Sequence, residues 1–146
     1  MHAKGFTLIE LLVAVAILGI IAAMGAAAFT GYIKGAIEKE ATTGLSSIYL
    51  AQEEYRSLYG SYYQSAANCT ASSNHSSTIN TNLFNGDVSL DQTNDRNFNF
   101  CIEWLGGSSS TFQANAYYAD NSGDYFTITN ANLKRKFESN SWTEGW

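Results

Sequence analysis

Gly5-Phe6-Thr7-Leu8-Ile9-Glu10 opens an apolar run that continues to Phe29. Across the 24 residues from Phe6 to Phe29 the one charged side chain is Glu10. Roughly 18 or more consecutive apolar residues are enough for a membrane-spanning helix, so the stretch predicts one. A carboxylate inside such a segment costs at least ~2.5 kcal/mol on insertion scales. Glu10 therefore either lies close enough to the interface to stay wet, where a helix N-terminus also favours negative charge, or has a partner that offsets the cost.

Met1-His2-Ala3-Lys4-Gly5 is a very short, polar, basic leader. The nearest approach to a small-residue cleavage site beyond the run is Ala26-Ala27-Ala28. It keeps open a rival reading: a signal-anchored or secreted binding protein whose run is an ordinary anchor, or a signal segment cut near Ala28.

The stretch Lys4-Gly5-Phe6-Thr7-Leu8-Ile9-Glu10-Leu11-Leu12-Val13 resembles the class III signal of type IV prepilins and of the pseudopilins of type II secretion. The resemblance implies that a prepilin peptidase cuts between Gly5 and Phe6 and methylates the new amino terminus of Phe6. It implies that Glu10 is the glutamate used in filament assembly. A carboxylate and a terminal amine, each costly alone in lipid, neutralise one another between adjacent subunits and so set register as well as energy. The implied partners are further copies of the chain in a helical homopolymer, the peptidase, the inner-membrane assembly machinery and, before assembly, the membrane. The implied location is a single pass through the inner membrane, then an extracellular pilus (fimbrium). A major pilin, a minor pilin and a pseudopilin of a secretion or DNA-uptake system share the signal, which does not say whether a filament serves adhesion, motility, DNA uptake or secretion. Many pilins carry a proline late in the run; this chain has none, and Ala27 stands in that region. Gly19 and Gly25 are the local weak points instead, each ~1 kcal/mol less favourable than alanine, and any unwinding of the stem would start there.

With 146 residues the chain is one small domain plus its apolar stem. A net charge of −5 gives no electrostatic case for nucleic acid. The basic cluster Lys134-Arg135-Lys136 reads as a solvated strand or loop.

The helical pattern outlasts the apolar run. Ile33, Ile37, Ala41, Leu45, Ile48, Tyr55, Leu58 and Tyr62 recur at helical spacing, a stripe that needs a globular partner to cover it. Gly60 breaks the pattern. Residues 61–92 then read as a long polar loop with Leu83, Phe84 and Val88 as its few anchors. Phe98, Phe100, Ile102 and Trp104 alternate with polar residues, as do Phe112, Ala114, Ala116 and Tyr118; Phe126 and Ile128 mark a third strand. Leu133–Phe137 reads as a fourth strand or a return loop, and the Ser/Asn-rich end with Trp142 and Trp146 as partly ordered. The expected fold is α+β and pilin-like, a long stem helix packed on a three- to four-stranded antiparallel sheet. Its segments are a leader (1–5), apolar stem (6–29), amphipathic stem (30–60), loop (61–92), sheet (93–137) and tail (138–146).

Lys4 marks the inner side of the membrane, which puts Cys69 and Cys101 in an oxidising compartment. Cys101 lies on the strand face opposite Phe100 and Ile102, where Cys69 of the loop can meet it, so a disulfide is expected. No catalytic set is visible: His2 is in the leader and His75 stands alone in the loop. No metal or cofactor is expected. Asp87, Asp91 and Asp95, or Asp120 with Asp124, match a calcium loop poorly and read as turn residues. The twenty aromatic residues read as core between helix and sheet.

Overall fold

The computed structural model describes residues 5–120 and 122–146, without the side chains of residues 25–28 and 30. Met1–Lys4 of the expected leader, Asn121 of the expected turn, and the side chains of Gly25 and Ala27 lie outside the described residues. Helix α1 covers Leu8–Tyr59 and α2 Ser76–Leu83. The strands are β1 (Phe98–Trp104), β2 (Phe112–Tyr118), β3 (Tyr125–Thr129), β4 (Lys134–Glu138) and β5 (Ser141–Glu144). All five pair antiparallel in the order β1-β2-β3-β4-β5, so the fold is α+β. The chain divides into two compact units, residues 1–38 and residues 39–146.

In the first unit α1 presents apolar side chains to solvent on every face, from Leu8 and Ile9 through Leu18 and Ile21 to Met24. A helix hydrophobic all round needs a cover. Among the described residues no helix is long and apolar enough to cross a membrane.

In the second unit α1 turns one face to the sheet. Ala41, Gly44, Leu45, Ile48 and Gln52 are buried at helical spacing. Gly44 is needed at its place, because a Cβ there would stand 2.6 Å from Cζ of Phe100 on β1. The stripe does not end as the sequence predicts: Leu58 is 70% exposed, and Gln52 takes the buried position. The cause lies beyond the helix, where Gly60 adopts φ +76° and sends the chain back. Gln52 Nε2 then donates to the Tyr63 carbonyl at 2.8 Å, and the Tyr63 N–H donates to Gln52 Oε1 at 2.8 Å. Tyr62 is buried as expected, its ring 4.8 Å from that of Phe112 and its hydroxyl donating to Glu53 at 2.8 Å.

The alternation of Phe98, Phe100, Ile102 and Trp104 with polar residues predicts a half-buried β1, but every residue from Phe98 to Ile102 is buried. Its second face is covered by the returning loop. The N–H of His75 donates to the Phe100 carbonyl, those of Ser65 and Ala66 to that of Ile102, and Asn99 Nδ2 to that of Ala71. The loop contains α2, and its anchors are Ile79 and Leu90, while Val88 is 74% exposed. Asn80 repeats the Gln52 device, its Nδ2 donating to the Leu90 carbonyl at 2.9 Å and its Oδ1 accepting the Leu90 N–H at 3.0 Å.

The sheet also runs past its expected end. Five strands form instead of three or four, because Ser139 and Asn140 take φ +51° and +62°, a two-residue turn that pairs β4 with β5. The segment expected as a partly ordered tail is thus an edge strand. Rings of Tyr125, Phe137 and Trp142 cluster across β3, β4 and β5 at centroid distances of 5.1 to 5.4 Å. Lys134-Arg135-Lys136 form the body of β4, where Arg135 pairs with Glu144 and Lys136 with Glu138.

Candidate processing and assembly site

Gly5, Phe6 and Thr7 precede the helix. Phe6 is 87% exposed, and among the described residues nothing lies within 4 Å of where a Gly5 Cβ would stand. Thr7 caps α1. Its N–H donates to Glu10 Oε2 at 2.9 Å, its Oγ1 donates to the same oxygen at 2.7 Å, and the Glu10 N–H donates to Thr7 Oγ1 at 3.3 Å. This reciprocal pattern is the capping box, a threonine followed three residues later by a glutamate, and it satisfies backbone donors that the first turn leaves orphaned. Reading Glu10 only as a charge in an apolar run overlooks the Thr7-x-x-Glu10 spacing that announces the cap.

Gly5, Phe6 and Glu10 thus fall within one turn of the helix start. Cutting the Gly5–Phe6 bond would leave an amine on Phe6 one residue ahead of the N–H that already serves Glu10. The carboxylate thus has donors within its own chain.

Cys69 and Cys101 belong to the second unit, where they form a disulfide with Cα atoms 5.8 Å apart across a separation of 32 residues. Glu103 holds the loop side of the bridge, its Oε2 accepting the Cys69 N–H at 2.9 Å and its Oε1 accepting from Asn115 Nδ2 at 3.2 Å. Tyr117 donates to the Cys69 carbonyl at 3.4 Å. Burial pushes the Tyr117 phenol far above its ordinary range, and the charge of Glu103 adds to the push. Burial raises Tyr62, Tyr63 and Tyr125 in the same direction.

Three of the aspartates considered for calcium serve turns. Asp91 Oδ1 accepts the Thr93 N–H at 2.8 Å, Asp120 Oδ1 that of Ser122 at 2.9 Å, and Asp124 Oδ1 that of Ser139 at 3.1 Å. Among the described residues no group of three or more His, Cys, Asp or Glu is placed to hold a metal ion. His75 is the N-cap of α2.

Comparison with curated proteins and with solved structures gives no match for the chain. The start of the chain is different. Residues 1–26 match the family model described as the prokaryotic N-terminal methylation motif, and the chain therefore carries the class III signal of type IV pilins and pseudopilins.

Proposed function

We propose that the chain is the structural subunit of a type IV pilus. It is cut between Gly5 and Phe6 and methylated at Phe6. It then polymerises through the apolar half of α1 into a surface filament. The observation that carries this reading is the exposed apolar stem. Side chains from Phe6 to Met24 face solvent all round the helix, within the residues that the methylation motif matches. At ~25 cal/mol per Å² of apolar surface removed from water, a stem of this length demands cover. The inner membrane covers residues 6–29 before assembly, with Lys4 on the cytoplasmic side, and neighbouring stems cover them in the filament. Residues 1–5 are then the discarded leader, 30–60 the amphipathic half of the stem, and 61–146 the part exposed outside the cell. Glu10 rests on Thr7 until the Phe6 amine of a neighbour competes for it, which aligns the incoming subunit.

The test is intact-mass and amino-terminal analysis of filaments sheared from native cells. The reading expects a dominant species that starts at methylated Phe6 and lacks two hydrogens for the Cys69–Cys101 bridge. A processed chain that stays in the membrane makes it a minor pilin or pseudopilin instead. A start near Ala28 removes the pilin reading altogether.

A further inference from the structure

The Cys69–Cys101 bond joins two sulfurs that stand in different surroundings. Cys69 is half-buried in the loop, and Ala67, Asn68 and Thr70 beside it are exposed. Cys101 is wholly buried on β1. In thiol–disulfide exchange an incoming thiolate attacks one sulfur and the other leaves as a thiolate, faster the better its charge is stabilised. Access and leaving-group stability therefore decide which cysteine is attacked.

Both favour the same direction here. Ser65 Oγ stands 3.8 Å from Cys101 Sγ as a hydrogen-bond donor. The same hydroxyl is placed to donate to the Ile102 carbonyl at 3.2 Å, and it accepts the Ile102 N–H at 2.8 Å. Its one proton can turn from the carbonyl to a sulfur that becomes negative, because a hydrogen bond to a charged acceptor is the stronger. Beside the other sulfur, the Glu103 carboxylate accepts the Cys69 N–H at 2.9 Å. A carboxylate there disfavours a second negative charge on Cys69. Cys69 is thus the sulfur within reach, and Cys101 the sulfur able to leave.

We propose that the bridge is a directional thiol-exchange site, opened at Cys69 by a small neutral or cationic thiol, and that it latches the loop over β1. The thiolate attacks Cys69 Sγ and forms a new S–S bond to it. The Cys69–Cys101 bond breaks, and Cys101 departs with the electron pair, its charge held by the Ser65 O–H. A second thiol attacks the sulfur of the first and frees Cys69. Two electrons and two protons pass from the two small thiols, which leave as their own disulfide, to the two cysteines. Glu103 sets the choice of reagent, since its charge repels an anionic thiol from Cys69. The amides that report the latch are those of Ser65, Ala66 and His75, which donate to the β1 carbonyls of Ile102 and Phe100. The inference concerns the second unit and stands apart from the polymerisation reading.

The test uses the full-length, detergent-solubilised chain with cysteamine as the cationic thiol and glutathione as the anionic one, compared at equal thiolate concentration. Acid-quenched samples mapped by mass spectrometry should carry the first adduct on Cys69. Cysteamine should open the bridge faster than glutathione, and the gap should narrow at high salt. The amides of Ser65, Ala66 and His75 should exchange faster in the adduct. Ser65→Ala should slow the opening roughly tenfold, and Ser65→Thr should restore it. An adduct on Cys101 overturns the direction. A Ser65→Ala chain that opens at the same rate or faster makes Ser65 a structural residue only and overturns its role at the leaving sulfur. A bridge that opens only as fast as the whole domain unfolds is an ordinary staple, which overturns the proposal and leaves the pilin reading intact.

Discussion

Gly44 and Phe100 meet where α1 crosses β1, at a separation that leaves no room for a methyl group: a Cβ on Gly44 would stand 2.6 Å from the ring tip. Helix propensity alone favours alanine over glycine by ~1 kcal/mol. Here packing reverses the sign, because the Phe100 ring is buried and overpacking costs ~1–3 kcal/mol. Gly44→Ala should lower the thermal midpoint of the detergent-solubilised protein. Gly35→Ala, where nothing lies within 4 Å, should leave it unchanged or raise it. A stabilised Gly44→Ala would refute the close approach.

Gln52 and Asn80 each hold one backbone N–H and one carbonyl, of Tyr63 and Leu90. Leucine fills similar space and donates nothing, so Gln52→Leu leaves buried groups unpaired, worth about 1–3 kcal/mol for each orphan. Asn80→Leu should act the same way. Gln52→Glu, which retains the acceptor but loses the donor, should fall between wild type and Gln52→Leu in urea unfolding.

Replacing both Cys69 and Cys101 with serine should lower stability by roughly 3 to 4 kcal/mol on the chain-entropy estimate. Hydrogen exchange would then locate the loss. Residues 61–97 should exchange faster, because the covalent tie between their loop and β1 is gone, while β2 and β3 should change little below global unfolding.

Tyr62, Tyr63, Tyr117 and Tyr125 have phenol pKa values raised above the ordinary 10.0, chiefly by burial. The folded protein thus holds these protons more tightly than the unfolded chain. The stability they contribute is whole below pH 10.0 and is lost as pH rises from there toward the folded values. Tyrosinate absorbance should show these four phenols ionising together with the loss of sheet. Independent titration of Tyr117 near pH 10.0 in the folded state would contradict this.

Thr7→Ala removes the hydroxyl that both gives to and takes from Glu10, at about 1 kcal/mol of helix stability. Thr7→Ser should restore it. NMR amide shifts of Leu8, Ile9 and Glu10 report the first turn directly and would stay unmoved if the cap were unimportant.

The parts of this chain governed by periodicity were legible in its sequence: the long helix, the first three strands, the meander and the glycine that stops the helix. The methylation motif was legible too, because a glycine, a phenylalanine and a glutamate at fixed places define it. What escaped was set by single side chains meeting across long separations. Gln52 is polar and so falls outside a hydrophobic stripe, although its amide makes it the buried residue while Leu58 faces water. The second burial of β1 depends on a loop without periodicity, held by Asn80, Asn99 and a disulfide. β5 was hidden because Ser139-Asn140 is not the usual glycine-bearing pair for a turn of positive φ. The cap at Thr7 had a clear spacing, but it was masked by the stronger hydrophobic pattern around it.

The strand order carries a consequence for how the second unit forms. Each strand lies beside the one before it in the chain, joined by a short turn, so the sheet grows hairpin by hairpin without waiting for distant segments. Only the docking of α1 on Phe100 and the return of the loop over β1 bring together parts far apart in sequence. A chain made from its amino end thus has its helix before its sheet exists. β1, the strand that both late events use, becomes the seam at which folding is completed, and mutations there should slow formation of the native state more than equal losses of stability in β4 or β5.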